Sequence, residues 1–567
     1  MYLDRHKIIS MNNKNILIAI GLVLVLGIGL YWYFNQRRTD FADELSVSLS
    51  GDESGILAKS KFKKEIQDFY LGRDYLEIWF FNGKLSKSGE EMISQIVDSK
   101  YDGLQPEDYN LAQLYELSSN PNDGELKFNK LSKDQKVKIE LLITDGFFKL
   151  ANDLANGKVD PSILDPNWKF DLQKKEMDFS SFLDEIASGK AVNEVFSMIY
   201  PDLDMYKNGR EALKALYEIQ MNDTLAWDFE NVEGAIKVGE NHDAIPVLRQ
   251  RLKFWGFVSD YDFEEPTHFD STMYKGLQQY QNSNGMNPDG VIGARVAEFL
   301  NNSPQNLIDI ASINMERLRW MPKMEWDQEM VLVNIANYQL DYLKKSDTVF
   351  TAKVIVGKEY NESPTFTAPM SYIVFSPYWN IPESITNEEI IPSIQKNKNY
   401  LTDKKMEVIT GAGEPVKVNS INWNKDAKNF PYRIRQKPGG DNSLGLVKFM
   451  FPNEYNIYIH DTPARSLFDL ESRALSHGCI RIQNPDQFAK ILLDDKSWDD
   501  EKIKEAMDLD KEMVVDLDRK IPVVLIYMTF WANEDGKSNF RSDVYDRDSA
   551  LLSALRNTNK DYRSSLD

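Results

Sequence analysis

The sequence predicts a multidomain α+β protein. Three observations carry that prediction. The chain has 567 residues, too long for one core, and 42% of them are apolar, enough to fill several. Helix-period apolar spacing dominates up to about residue 302, and β-branched, alternating runs dominate beyond it. A 19-residue uncharged stretch lies near the amino terminus. The resulting expectation is an N-terminal transmembrane helix, an α-helical scaffold domain, a three-helix module and a mostly-β domain with an inserted cap.

That uncharged stretch, Ile16 to Phe34, is long enough to span a bilayer core. Tyr31, Trp32 and Tyr33 close it as an interfacial aromatic cluster. No small-residue cleavage site follows, so an uncleaved anchor is expected rather than a signal peptide. Residues 1–15 would be a cytoplasmic tail, and the charge balance places the body outside. Residues 35–60 are polar and mixed, a linker.

Residues 61–240 read as helices. Ser132 with Gln135 is a capping-box pattern, followed by Val137, Leu141, Phe148, Ala151 and Ala155 at helical spacing and a stop at Gly157. Residues 241–302 form a compact helical module. Leu248 and Leu252 share one face, Gly256 ends that helix, Asp270 opens the next, and Asn287 to Gly293 is a turn rich in breakers. This pattern resembles the small three-helix peptidoglycan-binding domain.

From 303 to 550 the strands appear. Met330 to Ile335 and Phe350 to Val356 read as a hairpin, Ser371 to Phe375 and Ile457 to Ile459 as short strands, and Val523 to Trp531 as a strand before the turn Glu534-Asp535-Gly536. Residues of about 380–440 interrupt this pattern and read as a cap beside a site. Residues 551–567 form a C-terminal tail.

The net charge of -21 argues against nucleic acid as a partner. One cysteine excludes an internal disulfide. That cysteine, Cys479, stands in Ser476-His477-Gly478-Cys479-Ile480-Arg481, and His460 precedes this run with fifteen residues between it and Ser476. These two histidines are two of only five in the chain. A thiol attacks only as thiolate, so it needs a nearby base, and a third group must orient that base. The amides of Gly478 and Cys479 could form an oxyanion hole, and Arg481 and Arg473 could hold a substrate carboxylate. Zinc is a rival reading of His460, His477 and Cys479, but the spacing lacks a paired-ligand pattern and no further Cys or His is at hand.

The His460 and Ser-His-Gly-Cys arrangement resembles the signature of L,D-transpeptidase catalytic domains of the YkuD type. Pro377-Tyr378-Trp379-Asn380, Asn442-Ser443-Leu444-Gly445 and His460-Asp461-Thr462-Pro463 extend the resemblance. The resemblance implies a β-sandwich-like catalytic fold. It implies Cys479 as acylated nucleophile, His460 as base and the backbone carbonyl of Asp461 as its orienting partner. It also implies His477 as a support for developing charge, Gly478 and Cys479 as oxyanion donors, and Ser476 as a loop-shaping residue. It implies no cofactor and no metal. The implied partners are peptidoglycan stem tetrapeptides as donor and acceptor, the inner membrane through the N-terminal helix, and carbapenems as covalent inhibitors. The implied reaction releases D-alanine and forms 3→3 cross-links, with the body in the periplasm. Carboxypeptidase or amidase activity, attachment of a protein to the wall, and a non-catalytic wall-binding scaffold are the alternatives.

Overall fold

The computed structural model describes residues 41–557, apart from 51–54, 119–125, 129, 171–176, 228–231, 233, 324–327, 346, 424–429 and 495–496. The expected anchor at 16–34, the start of the linker and the end of the C-terminal tail lie outside the described residues. Among the described residues, no helix is long and apolar enough to cross a membrane.

The chain folds as two compact units. The first holds the described residues of 41–158 and 177–203, with the last turn of the chain's final helix. Its centre is the helix Lys133–Asn156, which opens on the expected capping box: Ser132 and Gln135 each bond the other's backbone amide. Val137, Leu141, Phe148, Ala151 and Ala155 are all buried along it. Shorter helices pack around this axis, and a small hairpin of β1 (Phe80–Phe81) and β2 (Lys84–Leu85) closes one side. Glu140 is wholly buried in the same helix. Its carboxylate accepts from the amides of Ile78 and Trp79 and from the Tyr70 hydroxyl. Burial raises its pKa from 4.5 to about 7.

The second unit contains the helical module and the β domain. The module has the three expected helices, Ile245–Phe254, Ser271–Ser283 and Ala294–Leu300, around one core. Asp270 caps the second helix, accepting from the amides of Thr272 and Met273. Gln281 ties the breaker-rich turn to that helix by accepting from Gly290.

The β domain is built from β3 (Met330–Asn334), β4 (Gln339–Lys344), β5 (Asp347–Gly357), β6 (Phe366–Phe375), β10 (Val447–Met450), β11 (Ile459–His460), β12 (Ala474–Ser476), β13 (Ile480–Ile482) and β14 (Met513–Ile526). The order is β12-β5-β13-β11-β10-β6-β14-β3-β4, and β4 also pairs with β5, so the sheet closes on itself. The expected hairpin of Met330 to Ile335 with Phe350 to Val356 is instead a three-stranded meander. The stretch read as a polar connector is β4, whose Leu340 and Tyr342 alternate into the core. The expected strand Val523 to Trp531 is also two pieces. β14 stops at Ile526, and β15 (Phe530–Ala532) turns back through Asp535-Gly536 onto β16 (Ser538–Phe540).

Between β6 and β10 the chain leaves the sheet and builds a subdomain. β7 (Trp379–Asn380), β8 (Met406–Ile409) and β9 (Arg433–Gln436) form its own three-stranded sheet. Helical turns over Glu383–Ile385, Thr386–Ile390, Ile391–Lys396 and Tyr400–Asp403 pack on it. Its core of Ile381, Ile390, Ile394, Leu401, Val408, Ile421 and Ile434 is separate from the core of the large sheet.

Candidate active site

Three adjacent strands carry the site. β11 pairs parallel with β13, setting Ile459 opposite Ile480 and His460 opposite Arg481. β10 pairs antiparallel with β11, setting Lys448 opposite His460. Val447, Phe449, Ile459, Ile480 and Ile482 point into the sheet's core. Side chains alternate along a strand, so Lys448, His460 and Arg481 project from the other face. Tyr458 and Cys479, one residue before Ile459 and Ile480, fall on that face too. The Tyr458 and His460 rings lie 5.6 Å apart.

His460 is buried, and its Nδ1 lies 2.5 Å from the carbonyl oxygen of Asp461. That carbonyl accepts the Nδ1 proton and leaves Nε2 as the basic nitrogen. Burial, then Arg481 and more weakly Lys448, lower the His460 pKa from 6.5 to about 3, against the carbonyls of Asp461 and Leu444. The Asp461 carboxylate faces elsewhere, accepting from the Leu446 amide and from Arg465. It presses on Gly445, where a Cβ would stand 2.4 Å from its Oδ2 and where φ is +65°. Only glycine fits both conditions.

Cys479 is partly exposed. Burial of its sulfur raises the thiol pKa from 9.0 to about 11, opposed by Tyr458 and Arg481. The thiol aims at the Asn456 carbonyl, 3.7 Å away. Both shifts favour the neutral forms, thiol and imidazole. The Tyr458 hydroxyl lies beside the sulfur and interacts with it as a side-chain hydrogen-bond partner, and burial pushes its own pKa well up. Tyr458 is thus a protonated donor aimed at the reacting atom. The sequence reading missed it, although its place two residues before His460 in a strand puts both on one face.

The Ser476-to-Cys479 loop is held by its own hydrogen bonds. The Ser476 hydroxyl donates to the Cys479 carbonyl at 2.6 Å and accepts from the Gly478 amide at 3.1 Å. Ser363 donates to the Gly478 carbonyl, and the Lys358 amide donates to that of Ser476. Ser476 shapes the loop in this way. Gly478 sits at φ +110°, which an L side chain rarely adopts. The expected oxyanion pair needs correction: the Gly478 amide is spent on Ser476. The Cys479 amide and the Tyr458 hydroxyl are the donors that remain.

Arg473 also needs correction. Its guanidinium donates to the carbonyls of Val354, Leu470 and Tyr338 and is buried among them. It braces the β5 edge with three of its five N–H groups. Arg481 differs, because its buried Nε has no hydrogen-bond partner among the described residues. His477 turns outward, and its Nε2 lies 2.9 Å from Glu389 of the cap. Among the described residues, no group of three His, Cys, Asp or Glu side chains gathers to hold a metal.

Comparison with known proteins places this geometry in a family. The family model for the L,D-transpeptidase catalytic domain, YkuD, matches residues 328–504. Residues 328–504 belong to the L,D-transpeptidase catalytic domain family. A scaffold domain model matches residues 64–213, and a "Putative peptidoglycan binding domain" matches residues 241–300. The L,D-transpeptidase domain thus holds every residue of the site and the whole cap. A "Putative L,D-transpeptidase" of Haemophilus influenzae is 34% identical over 243 residues, 43% of this chain and 49% of that protein. The chain thus spans about half the length of that relative. Solved L,D-transpeptidases of Xylanimonas cellulosilytica (12% identity, TM-score 0.17) and Stackebrandtia nassauensis (11%, 0.21) each overlap 53% of this chain, and 100% and 97% of their own. At those TM-scores the overlap carries no weight here.

Proposed function

We propose that the protein is an L,D-transpeptidase that forms 3→3 peptidoglycan cross-links through a Cys479 acyl-enzyme. The observation that carries this reading is the single face holding Cys479, His460 and Tyr458 within the matched catalytic domain. His460 Nε2 takes the thiol proton, and the sulfur attacks the carbonyl carbon of the third stem residue. The oxyanion receives hydrogen bonds from the Cys479 amide and the Tyr458 hydroxyl. The carbon–nitrogen bond to the fourth residue breaks, and the imidazolium returns its proton to the departing D-alanine amine. An amine of a neighbouring stem then attacks the thioester, gives its proton to His460, and the thiol re-forms. Arg481, with its unmatched Nε, faces the donor.

The helical module matched at 241–300 would hold the enzyme on the wall, and an anchor at 16–34 would hold it at the inner membrane with its body in the periplasm. A carbapenem would acylate Cys479 in the donor's place. The test is incubation of the full chain with disaccharide-tetrapeptide, followed by mass spectrometry, beside Cys479→Ala. A 3→3 dimer made only by the unsubstituted protein supports the proposal. Tripeptide without dimer indicates a hydrolase. No Cys479-dependent product overturns the catalytic reading in favour of a wall-binding scaffold.

A further inference from the structure

The catalytic face carries one more cation than the reaction above uses. Lys448, His460 and Arg481 are directly opposed on three neighbouring strands. Opposed residues project from the same face with Cβ atoms about 5 Å apart, so the three form one transverse row with the histidine at its centre. Several other cations of this domain are matched to carboxylates, as in Lys344–Asp494, Arg435–Glu407, Lys490–Asp500 and Arg519–Glu329, and the buried Arg473 is matched to three backbone carbonyls. Lys448 and Arg481 form no ion pair and no side-chain hydrogen bond among the described residues. Both are half-buried, the Arg481 Nε has no hydrogen-bond partner among the described residues, and Lys448 feels Glu512 only through its field. In a chain of net charge -21, carboxylates are plentiful. Two unmatched cations flanking one imidazole are thus a property of this site, and half-burial without a counter-ion is costly unless a ligand supplies one.

We propose that Lys448 is a donor-positioning residue that forms, with Arg481, a two-cation clamp on the donor carboxylate next to the scissile bond. The proposal rests on the transpeptidase reading and deepens it. A second consequence concerns timing. Both cations oppose protonation of His460, in addition to its burial. A carboxylate seated on the clamp offsets their field and leaves burial as the main force against protonation, so the imidazole becomes a better acceptor of the Cys479 proton when the donor has arrived. Until then the sulfur stays protonated and poorly reactive toward oxidants, which act on thiolates.

The experiment compares two donors, a disaccharide-tetrapeptide and the same molecule with its terminal carboxylate converted to the amide. The full chain is assayed as the unsubstituted protein, Lys448→Met and Lys448→Arg, with thermal melts to verify folding. Lys448→Met should lower kcat/KM about tenfold or more on the carboxylate donor, the scale of one lost charge-assisted hydrogen bond. It should change the amide donor less than about twofold, and Lys448→Arg should restore most of the loss. Equal losses on both donors, or none on either, would overturn the clamp. If the unsubstituted protein releases nothing from either donor, the transpeptidase reading fails by itself. The clamp is then read by calorimetric binding of the tetrapeptide to Cys479→Ala with and without Lys448→Met. An unchanged Kd overturns it, and a loss confined to the carboxylate form sustains it.

Discussion

The resting thiol should be unreactive, and the chain's single cysteine makes this measurable without background. Raising the Cys479 pKa from 9.0 to about 11 lowers its thiolate fraction near neutral pH about 100-fold. A more basic thiolate is also the better nucleophile. With a Brønsted slope near 0.45, two units return about eightfold. Alkylation by iodoacetamide at about pH 8 should therefore run roughly tenfold slower in the folded protein than in the urea-unfolded chain, and its rate should still be climbing at about pH 10. Intact-mass spectrometry follows the single adduct. A folded-state rate equal to or above the unfolded one, with a plateau near neutral pH, would refute the reasoning. It would mean that thiolate and imidazolium are already paired before any donor binds.

Three further outcomes are expected. Tyr458→Phe removes one of the two remaining oxyanion donors and should slow acylation by the tetrapeptide about 100-fold, while iodoacetamide alkylation, which passes through no oxyanion, changes less than about threefold. Arg473→Met takes the guanidinium from three backbone carbonyls, of which that of Tyr338 keeps the Val354 amide as a donor. It should destabilise the protein by about 3 kcal/mol in urea titration and leave the KM for donor unchanged, whereas Arg481→Met should raise that KM. For Glu140 the folded carboxyl, at about 7 against 4.5 in its ordinary state, binds its proton more tightly than the unfolded chain does. Its contribution, about 3 kcal/mol, is fully present below pH 4.5 and is lost as the pH rises through about 7. Glu140→Gln should flatten that part of the dependence of Tm on pH between about 4.5 and 7.5, and an unaltered slope would assign it to other groups.

What the sequence disclosed was whatever is local. The helix beginning after Ser132 is legible because its cap, its stripe and its stop all lie within a short stretch. Cys479, His460 and the Ser476 loop are legible because four residues are contiguous and histidines are scarce. Arg473 misled because its three acceptors come from segments far apart in sequence, and a loop arginine gives no local sign of them. The Gly478 amide misled for a subtler reason: its competitor is a hydroxyl two residues away that can turn either inward or outward. β4 hid because its polar edge positions outweigh Leu340 and Tyr342. Tyr458 was within reach, since it alternates with His460 about Ile459.

The cap's attachment has a further consequence. Phe375 and Val447, its two points of departure, are directly opposed in an antiparallel pair, and the Ser376 amide donates to the Leu446 carbonyl just beyond them. In topological terms the cap is the connecting loop of a β-hairpin, enlarged until it acquired a core of its own. A loop whose ends are already one strand spacing apart adds little closure entropy however long it grows, so the large sheet need not deform to carry it. The exchange should also run backwards. With residues 377–445 replaced by a two-residue Asn-Gly turn, β6 and β10 have every backbone partner they need, and the sheet that holds Cys479 becomes a module separable from the element that covers it.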